Sequence, residues 1–379
     1  MTDFPVFPSN DPTEWKFLAE GSDSILFGYV GTSIDSLKGK AMRLFKKSLL
    51  PNKVYITPEE RKHKLQLHVN YIKRFAGSVL QDIDLGDIYT VTSEFIQKLA
   101  EITQPLRSER RVKESVIDVA TTICCLHTNH CPMGSLTIEI KPKWGQKPVF
   151  PLIPADSVKR TVSRFQLLQR LKLAKGEIKS ISEYEPEDLF SNDRQRITRA
   201  MEAMIKNPQG NLKFFVDNQQ VDVDKKKALK FVDVLLQIPH LNQLLKIQSL
   251  DVIDIEGIDM ILDRAGQLSW ENLVEDQYVI DGVKKMLNGE IKVPETAEEM
   301  KKYLENLDEK QCRLLVAAFL IATAAKDCSF MFTFDNPEEL KNPAISVIDF
   351  DMKYPENLRK YYLDIDRKIV ATYLKSIGK

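Results

Sequence analysis

The chain has 379 residues, which is longer than one hydrophobic core usually supports, so we expect two lobes or domains. Lysine plus arginine and aspartate plus glutamate number 54 each, and this balance lacks the basic excess that is typical of nucleic-acid-binding proteins. A local basic pocket is compatible with it, because charge can be segregated within a neutral protein.

Three features of the sequence concern its compartment. Residues 1–5 show no basic stretch that leads into an apolar core, so we expect no secretory signal. The longest apolar run, residues 314–325, is shorter than the ~20 residues that span a bilayer and predicts a buried helix. Five cysteines in a chain without an export signal favour reduced thiols in the cytoplasm or nucleus.

The first 150 residues mix strand and helix patterns. Alternating apolar residues broken at Gly21 predict a β-hairpin with its turn at residues 20–24. The other elements predicted here are a strand over 41–45 that carries Arg43, helices over 58–75 and 92–102, a strand or buried segment over 115–126, and a strand over 135–141. Together they suit a small N-terminal lobe of mixed structure.

From residue 155 the pattern becomes more helical. The predicted elements are helices over 158–173, 194–205, 226–245, 260–263, 297–304, 314–325 and 359–375, a hairpin over 211–221, and strands over 329–334 and 344–351. This order favours an α+β fold with a smaller N-terminal lobe, residues 1–150, and a larger, more helical C-terminal lobe, residues 151–379.

An apolar segment near the end of the chain leads into two acids, Asp349 and Asp351. A spacing of two places both carboxylates on the same side of an extended strand. Carboxylates hold Mg²⁺ in proteins together with the phosphates of a substrate. A strand end with solvated acids is the alternative, and this segment alone does not decide between the two.

Two lysines, Lys141 and Lys143, alternate with Glu139 in the sequence Glu-Ile-Lys-Pro-Lys-Trp-Gly at residues 139–145. Alternation places them on one face of a strand until Pro142 perturbs it. Lysines on a stiff segment hold phosphate as point charges. An edge strand protected by lysine and proline is the alternative.

Two further motifs are candidates for chemistry. Asp327 follows the predicted buried helix, where an acid is well placed to act as a base, although an ordinary helix-terminal pair with Lys326 is the alternative. The turn at Gly21 and Ser22 is neither a Walker A sequence nor a complete Gly-rich kinase loop. Its N–H groups suit a phosphate, but a plain hairpin turn explains it as well.

The segment 124–131 is rich in cysteine and histidine and looks like half of a metal site. Zinc usually takes four ligands from two spaced pairs. The remaining histidines, His63, His68 and His240, form no matching pair, so we favour packing and loop hydrogen bonding over zinc.

In their order along the chain, these motifs resemble the inositol-pentakisphosphate 2-kinases. Residues 139–145 carry the sharpest likeness, and the other segments that resemble the family are 20–21, 39–43, 164–173, 184–191, 211–215, 326–329, 349–353 and 361–362. The resemblance implies ATP-dependent transfer of phosphate to the 2-hydroxyl of inositol 1,3,4,5,6-pentakisphosphate, which gives the hexakisphosphate (phytate). It also implies a kinase-like, two-lobed fold, with the nucleotide-binding strands and loop in the N-terminal lobe.

The resemblance implies a role for each matching residue. Asp327 is implied as the catalytic base and Asp349 as the Mg²⁺ ligand, with Asp351 as a second ligand or a support for the first. Residues implied to contact ATP are Gly21, Ser22, Arg43, Glu139, Asn211 and Lys213. Residues implied to hold inositol phosphates are Lys141, Lys143, Lys172, Lys353, Arg359, Tyr361, and one of Arg107, Arg110 and Arg111, for which we predict Arg110.

The implied substrate carries about −8 to −10 charge, so it requires a concentrated basic cleft balanced by acids elsewhere. We expect a monomer without nucleic-acid or membrane partners. One alternative is a kinase for another inositol or sugar phosphate. Another is a module that binds inositol phosphates without catalysis and would not need Asp327 and Asp349. No role is assigned to residues 245–310.

Overall fold

The computed structural model describes residues 4–51 and 54–378. Within these residues the chain forms 14 α-helices and 11 β-strands, and the strands make two antiparallel sheets. The α+β class predicted from the sequence is therefore confirmed. The chain divides into two compact units, one within residues 1–66 and 84–133 and the other within residues 67–83 and 134–379.

The first unit is built on a six-stranded sheet. Its strands are β1 (Trp15–Glu20), β2 (Ser24–Tyr29), β3 (Lys40–Ser48), β4 (Asp87–Thr90), β5 (Ser115–Ile117) and β6 (Ile123–Thr128). Its helices are α1 (Pro58–Tyr71), whose last residues belong to the second unit, α2 (Ser93–Thr103) and α3 (Glu109–Glu114). The strand order is β1-β2-β3-β6-β4, and β5 pairs with the end of β3.

Local patterns in the first unit form as the sequence predicts. The N-terminal hairpin is confirmed, because β1 pairs with β2 and the N–H of Gly21 donates to the carbonyl of Ser24 at 2.9 Å. The segment predicted as strand or buried is two short strands, β5 and β6. Apolar side chains of the sheet and of α2, among them Phe27, Leu44 and Phe95, are buried in one core.

The second unit contains a five-stranded antiparallel sheet. Its strands are β7 (Leu136–Ile140), β8 (Leu212–Val216), β9 (Gln219–Val221), β10 (Ser329–Phe334) and β11 (Ala344–Ile348), in the order β11-β10-β7-β8-β9. The β8–β9 hairpin is confirmed. Its turn residues Asp217 and Asn218 have φ of 52° and 62°, as a two-residue hairpin turn requires.

Eleven helices surround this sheet in the described part of the second unit. They are α4 (Arg164–Ala174), α5 (Pro186–Leu189), α6 (Arg194–Lys206), α7 (Lys225–Leu235), α8 (His240–Gln248), α9 (Asp254–Ile261), α10 (Trp270–Leu273), α11 (Gln277–Leu287), α12 (Ala297–Asn306), α13 (Glu309–Ala325) and α14 (Asp364–Ser376). Most of α13 is buried on every side, which confirms the buried helix predicted there. No described helix is long and apolar enough to cross a membrane.

The structure differs from the predicted helices in several places. The helix predicted over 158–173 is a 3-10 turn, Val158–Arg160, followed by α4, which begins at Arg164. The single helix predicted over 226–245 is two helices, α7 and α8, because Pro239 lacks the N–H that would continue the first. Of helices α9, α10 and α11, only the end of α9 was predicted, by the helix expected over 260–263. The C-terminal helix begins with a π-helical segment, Leu358–Leu363, before α14.

Candidate active site

The topology of the second sheet brings three chain segments to the start of β10. Because β10 is antiparallel to both of its neighbours, its first residues lie beside the last residues of β7 and of β11: Phe330 pairs with Ile140, and Ser329 pairs with Ile348. Asp327 is the middle residue of the three-residue connection, Lys326 to Cys328, that joins α13 to β10. Residues that follow β7 and β11 therefore meet around it.

Three lysines contact the carboxylate of Asp327. The ammonium groups of Lys141 and Lys143 lie 3.7 and 3.6 Å from one carboxylate oxygen, and that of Lys353 lies 3.3 Å from the other. The Asp327 side chain is 53% exposed, so the cluster is open to solvent. The structure thus brings together four residues that the sequence predicts for catalysis and phosphate binding.

The charges in this cluster shift two pKa values. Partial burial alone would raise the pKa of Asp327, but the positive charges of Lys141, Lys353 and Lys143 lower it below its ordinary value. Burial lowers the pKa of Lys143 to about 8, with the charges of Lys141 and Lys172 adding to the effect and Asp327 opposing it. Asp327 is therefore a carboxylate at neutral pH, in a cluster with surplus positive charge. The effect of Lys172 on Lys143 also places the end of α4 near the cluster.

Asp349 and Asp351 follow β11, but not as predicted. The expectation of one extended strand through both acids is wrong, because β11 ends at Ile348 and Asp349 has a left-handed φ of 60°. Both side chains are exposed. The buried thiol of Cys328, whose pKa burial raises to about 12, is within electrostatic range of both Asp327 and Asp349.

The two acids fit the chemistry of a magnesium ion. Mg²⁺ is commonly held by one or two carboxylates while substrate phosphates and water supply the remaining oxygens, and exposed Asp349 and Asp351 match that donor set. Within residues 4–51 and 54–378, no group of three or more His, Cys, Asp or Glu side chains is arranged to hold a metal by itself. Phosphate oxygens would therefore have to complete the coordination.

Three of the residues predicted to contact ATP lie together on β7 and β8. Glu139 and Lys213 are directly opposite each other across the two strands, and their charged groups are 2.8 Å apart. Asn211 precedes β8, and its carbonyl accepts from the N–H of Lys141 at 2.9 Å. The Asn211 side chain is buried, and its amide nitrogen has no hydrogen-bond partner within the described residues. A buried donor without a partner is costly, so this amide is suited to a ligand.

The remaining predicted ATP residues lie in the first unit. Gly21 and Ser22 form the β1–β2 turn, and buried Lys46 holds it by donating to the carbonyl of Gly21 (2.6 Å) and to the carboxylate of Glu20 (2.7 Å). Arg43 is half-buried on β3, and its Nε has no hydrogen-bond partner among the described residues. The contacts of Lys46 with Glu20 and Gly21 therefore hold the turn in place.

Only part of the predicted arginine set is available for phosphate. The guanidinium of Arg107 is buried and donates to both carboxylate oxygens of Glu20, at 2.7 to 3.2 Å. Arg110 is exposed, and both it and Arg111 lie within 3.8 Å of Glu114. Arg107 therefore has a structural role in the first unit, whereas Arg110 stays a prediction.

Sequence reasoning missed a basic cavity in the first unit. It has a volume of about 260 Å³, and its polar lining includes Ser22, Lys46, Lys47, Arg61 and Arg111. Three of its cations are paired with acids: Lys46 with Glu20 (2.7 Å), Arg61 with Asp23 (2.8 Å) and Arg111 with Glu114 (3.7 Å). The adjacent lysines at the end of β3 were the signal that could have drawn attention to it.

Arg359 and Tyr361 lie in the π-helical segment. The guanidinium of Arg359 donates to the carboxylates of Asp259 and Asp263, each at 2.7 Å. Tyr361 is exposed and contacts Tyr362 edge to face, with ring centroids 5.2 Å apart. The structure therefore places Arg359 in a carboxylate environment that the sequence does not predict.

Two residues within 245–310 hold the lysine cluster and were missed. The indole N–H of buried Trp270 on α10 donates to the carbonyl of Lys353 at 2.8 Å. Gln248 at the end of α8 contacts the carbonyls of Lys143 and Ala325. Neither has a sequence signal, because both act on backbone atoms far away in the chain.

The Cys/His segment in the first unit is organised around an acid. Asp84 accepts from His127 at 3.1 Å and from His130 at 2.8 Å, and these contacts lower its pKa although burial opposes them. Cys124 and Cys125 are buried in the sheet, where burial raises the pKa of Cys125 to about 11. Hydrogen bonding and packing thus account for the segment.

Comparisons with known proteins identify the family of this chain. The family model described as inositol-pentakisphosphate 2-kinase matches residues 17–368. The chain is 27% identical to an inositol-pentakisphosphate 2-kinase of Oryza sativa, over 98% of this chain and 96% of that protein. It is 24% identical to the enzymes so named in Arabidopsis thaliana and Danio rerio, over 97% of this chain and 95% and 94% of those proteins. The chain belongs to the inositol-pentakisphosphate 2-kinase family.

Proposed function

We propose that this protein transfers the γ-phosphoryl group of ATP to the 2-hydroxyl of inositol 1,3,4,5,6-pentakisphosphate, which gives the hexakisphosphate. The observation that carries the proposal is the Asp327 carboxylate, kept ionised and held within 3.3 to 3.7 Å of three lysines. Relatives named for this activity match over nearly their full length, which supports the same chemistry here.

Asp327 acts as the base in this proposal. One carboxylate oxygen accepts the proton of the 2-hydroxyl, the hydroxyl oxygen bonds to the γ-phosphorus, and the bond from that phosphorus to the β–γ bridging oxygen breaks, which releases ADP. Lys141, Lys143 and Lys353 move from the carboxylate to the phosphates that flank the hydroxyl. A substrate of about −8 to −10 charge needs such cations to replace its lost hydration.

ATP and Mg²⁺ are the proposed cofactors. Glu139, Asn211 and Lys213 would contact the nucleotide, and the buried, partnerless amide of Asn211 supports this role. Asp349 and Asp351 would hold Mg²⁺, which neutralises charge on the β- and γ-phosphates when bound. The Gly21–Ser22 turn and Arg43 are proposed as further nucleotide contacts.

We propose further that the chain works as a monomer with a kinase-like, two-lobed fold. In this arrangement residues 1–150 supply the nucleotide-binding loop and strands together with Lys141 and Lys143. Residues 151–379 supply Asp327 and the two magnesium ligands together with the cations Lys172, Lys353 and Arg359. The support for two lobes is the division of the chain into two compact units. A single chain of this length can hold a complete small-molecule kinase.

The test is phosphate transfer from ATP to inositol 1,3,4,5,6-pentakisphosphate by purified protein, with and without Mg²⁺. We expect hexakisphosphate from the wild type and a loss of about 10²- to 10⁴-fold in kcat for Asp327→Ala, because the base is removed. Asp335→Ala is the matched control, since Asp335 is an exposed acid at the other end of β10.

Two outcomes would contradict the proposal in different ways. Tight binding of the pentakisphosphate without transfer would favour a module that only binds inositol phosphates. Wild-type turnover in Asp327→Ala would show that another group accepts the proton. A rise in the Mg²⁺ concentration that gives half-maximal activity in Asp349→Ala would support the assignment of the metal ligand.

A further inference from the structure

Two irregular segments carry the residues proposed for catalysis. Residues 141–145 follow β7, residues 326–328 join α13 to β10, and neither segment is helix or strand. The ammonium of Lys143 and the carboxylate of Asp327 are nevertheless 3.6 Å apart. Backbone hydrogen bonds reach only the ends of the two segments, at Lys141 (2.9 Å to Asn211) and at Lys326 and Asp327 (3.0 and 3.1 Å to the last turn of α13), and none of these bonds joins one segment to the other. Side-chain contacts between the segments therefore contribute to that distance.

Gln248 supplies a contact to both segments at once. Its amide nitrogen donates to the carbonyl of Lys143 (2.9 Å) and to that of Ala325 (3.2 Å), and its amide oxygen accepts from the N–H of Gly145 (2.8 Å). The side chain is fully buried, with 0% exposure. One amide thus ties the lysine segment to the end of α13.

The lysine segment needs such a partner because of its backbone conformation. Lys143 has φ of 64°, a left-handed conformation that is unfavourable for lysine and persists only when the surroundings enforce it. Gly145 lies so close to Phe190 and Leu245 that a Cβ there would be 2.6 and 2.9 Å from their side chains. The segment is therefore pressed against the helical side of the unit, where Gln248 meets it.

The turn after α8 braces the second segment as well. Asp251 forms a buried ion pair with Lys326, the residue before Asp327. The ammonium of Lys326 also lies 3.6 Å from the centroid of the Trp144 ring, next to Lys143. The N–H of Asp251 donates to the carbonyl of Gln248 at 3.2 Å, so both contacts come from one turn.

We propose that Gln248 is a positioning residue for phosphoryl transfer, which holds Lys143 and Asp327 at their working separation without touching either reactant. The inference rests on the proposed function, because it assumes that these two residues serve the reaction. A displacement of about 1 Å in a reacting group can cost on the order of 10²-fold in rate. Loss of the amide should therefore act on kcat more than on KM.

The experiment compares Gln248→Met with Gln169→Met in the transfer assay. Gln169 on α4 is also a buried amide that bonds only to backbone, since it accepts from the N–H of Ser182 (2.6 Å) and donates to its carbonyl (3.1 Å). Both changes keep the side-chain length and remove the polar group. We expect kcat to fall about 10- to 100-fold for Gln248→Met, with a smaller change in KM, and to stay within about twofold for Gln169→Met.

A double-mutant cycle separates positioning from general destabilisation. If Gln248 acts through Asp327, Gln248→Met should reduce the residual single-turnover rate of Asp327→Asn by less than about threefold, far below its effect in the wild type. If the rate of the double variant falls by the product of the two single-variant losses, the two residues act independently and the proposal is overturned. So would equal losses of kcat in Gln248→Met and Gln169→Met, or no loss in either.

Thermal unfolding identifies which variants are folded before kinetics are compared. Should Gln248→Met not fold, Gln248→Glu is used, because it keeps the shape and the acceptor for Gly145 but removes the donors to the two carbonyls. We expect at least a tenfold loss of kcat there, and wild-type kcat in this variant would overturn the proposal. Failure of the wild type to make product would instead refute the proposed function itself.

Discussion

Two groups of charged residues in the second unit contain cations predicted to bind phosphate, and their charge balance is opposite. Around Asp327, three lysines share one carboxylate. Around Arg359, one guanidinium is shared by Asp259 and Asp263. Among the described residues, Arg367, 3.7 Å from Asp259, adds a second positive charge. The first group has surplus positive charge, whereas the second is neutral at most.

This difference indicates that a basic residue binds phosphate well only if neighbouring carboxylates do not already neutralise its charge. The three lysines around Asp327 can contact phosphates and lose only their contacts with one carboxylate. Arg359 would have to leave two carboxylates, which give it several hydrogen bonds. We therefore expect the lysines to dominate substrate binding and Arg359 to add little in the conformation described here.

Among the cations of the two groups, removal of one lysine of the first group has the largest expected effect on substrate binding. Lys143→Met should raise the KM for inositol pentakisphosphate about 10- to 100-fold, because a hydrogen bond to a charged group contributes about 1.5–3 kcal/mol. Steady-state kinetics with varied pentakisphosphate at saturating ATP measures it. A KM within threefold of the wild-type value would remove the distinction between the two groups.

A smaller effect is expected from pH, through the same lysine. Because burial lowers the pKa of Lys143 to about 8, substrate binding above pH 8 requires proton uptake, and KM should rise by up to about tenfold per pH unit. Stability changes with pH in the opposite direction to substrate binding. The fold disfavours charged Lys143, so the free energy of unfolding increases as the pH rises from 8 to the ordinary lysine pKa of 10.5.

A variant that keeps the charge isolates this lysine from the other titrating groups. Lys143→Arg stays protonated throughout this range, so its KM should change less with pH than that of the wild type. KM is measured for both proteins in steps of ~0.5 pH unit between about pH 7.5 and 9.5. The same dependence of KM on pH in both proteins would contradict the assignment of this titration to Lys143.

The smallest expected effect is that of Arg359. Arg359→Met should change the KM for pentakisphosphate less than about threefold, because its guanidinium is already held by two acids. Replacement of both Asp259 and Asp263 by asparagine should release Arg359 and lower KM. A tenfold rise in KM for Arg359→Met would show that the arginine leaves its carboxylates when substrate binds.

Local pattern was enough to predict much of the fold and several members of the site. Alternating apolar residues identified the β1–β2 and β8–β9 hairpins and the strands β7 and β10, since each signal lies within a few consecutive residues. Family resemblance then selected Asp327, Lys141, Lys143 and Lys353, which the structure brings together. The assigned roles of these residues stay predictions until activity is measured.

What could not be predicted depends on contacts between distant parts of the chain. The pairing of Arg359 with Asp259 and Asp263 joins residues about 100 positions apart, and nothing in either segment indicates the other. The left-handed backbone at Lys143 is likewise imposed by its surroundings, because lysine does not favour this conformation. The role of Gln248 depends on carbonyl groups, which leave no trace in the sequence.

The pairing of β7 with β10 has a consequence for how the protein folds. Ile140 and Phe330 are neighbours in the sheet but are separated by ~190 residues, so their pairing must close a very long loop. Contacts between residues so distant form slowly, and local elements such as α13 and the β8–β9 hairpin can form before them. We therefore expect the lysine–aspartate cluster to form late in folding. In a partly folded chain, the lysines and Asp327 would not yet be close to one another.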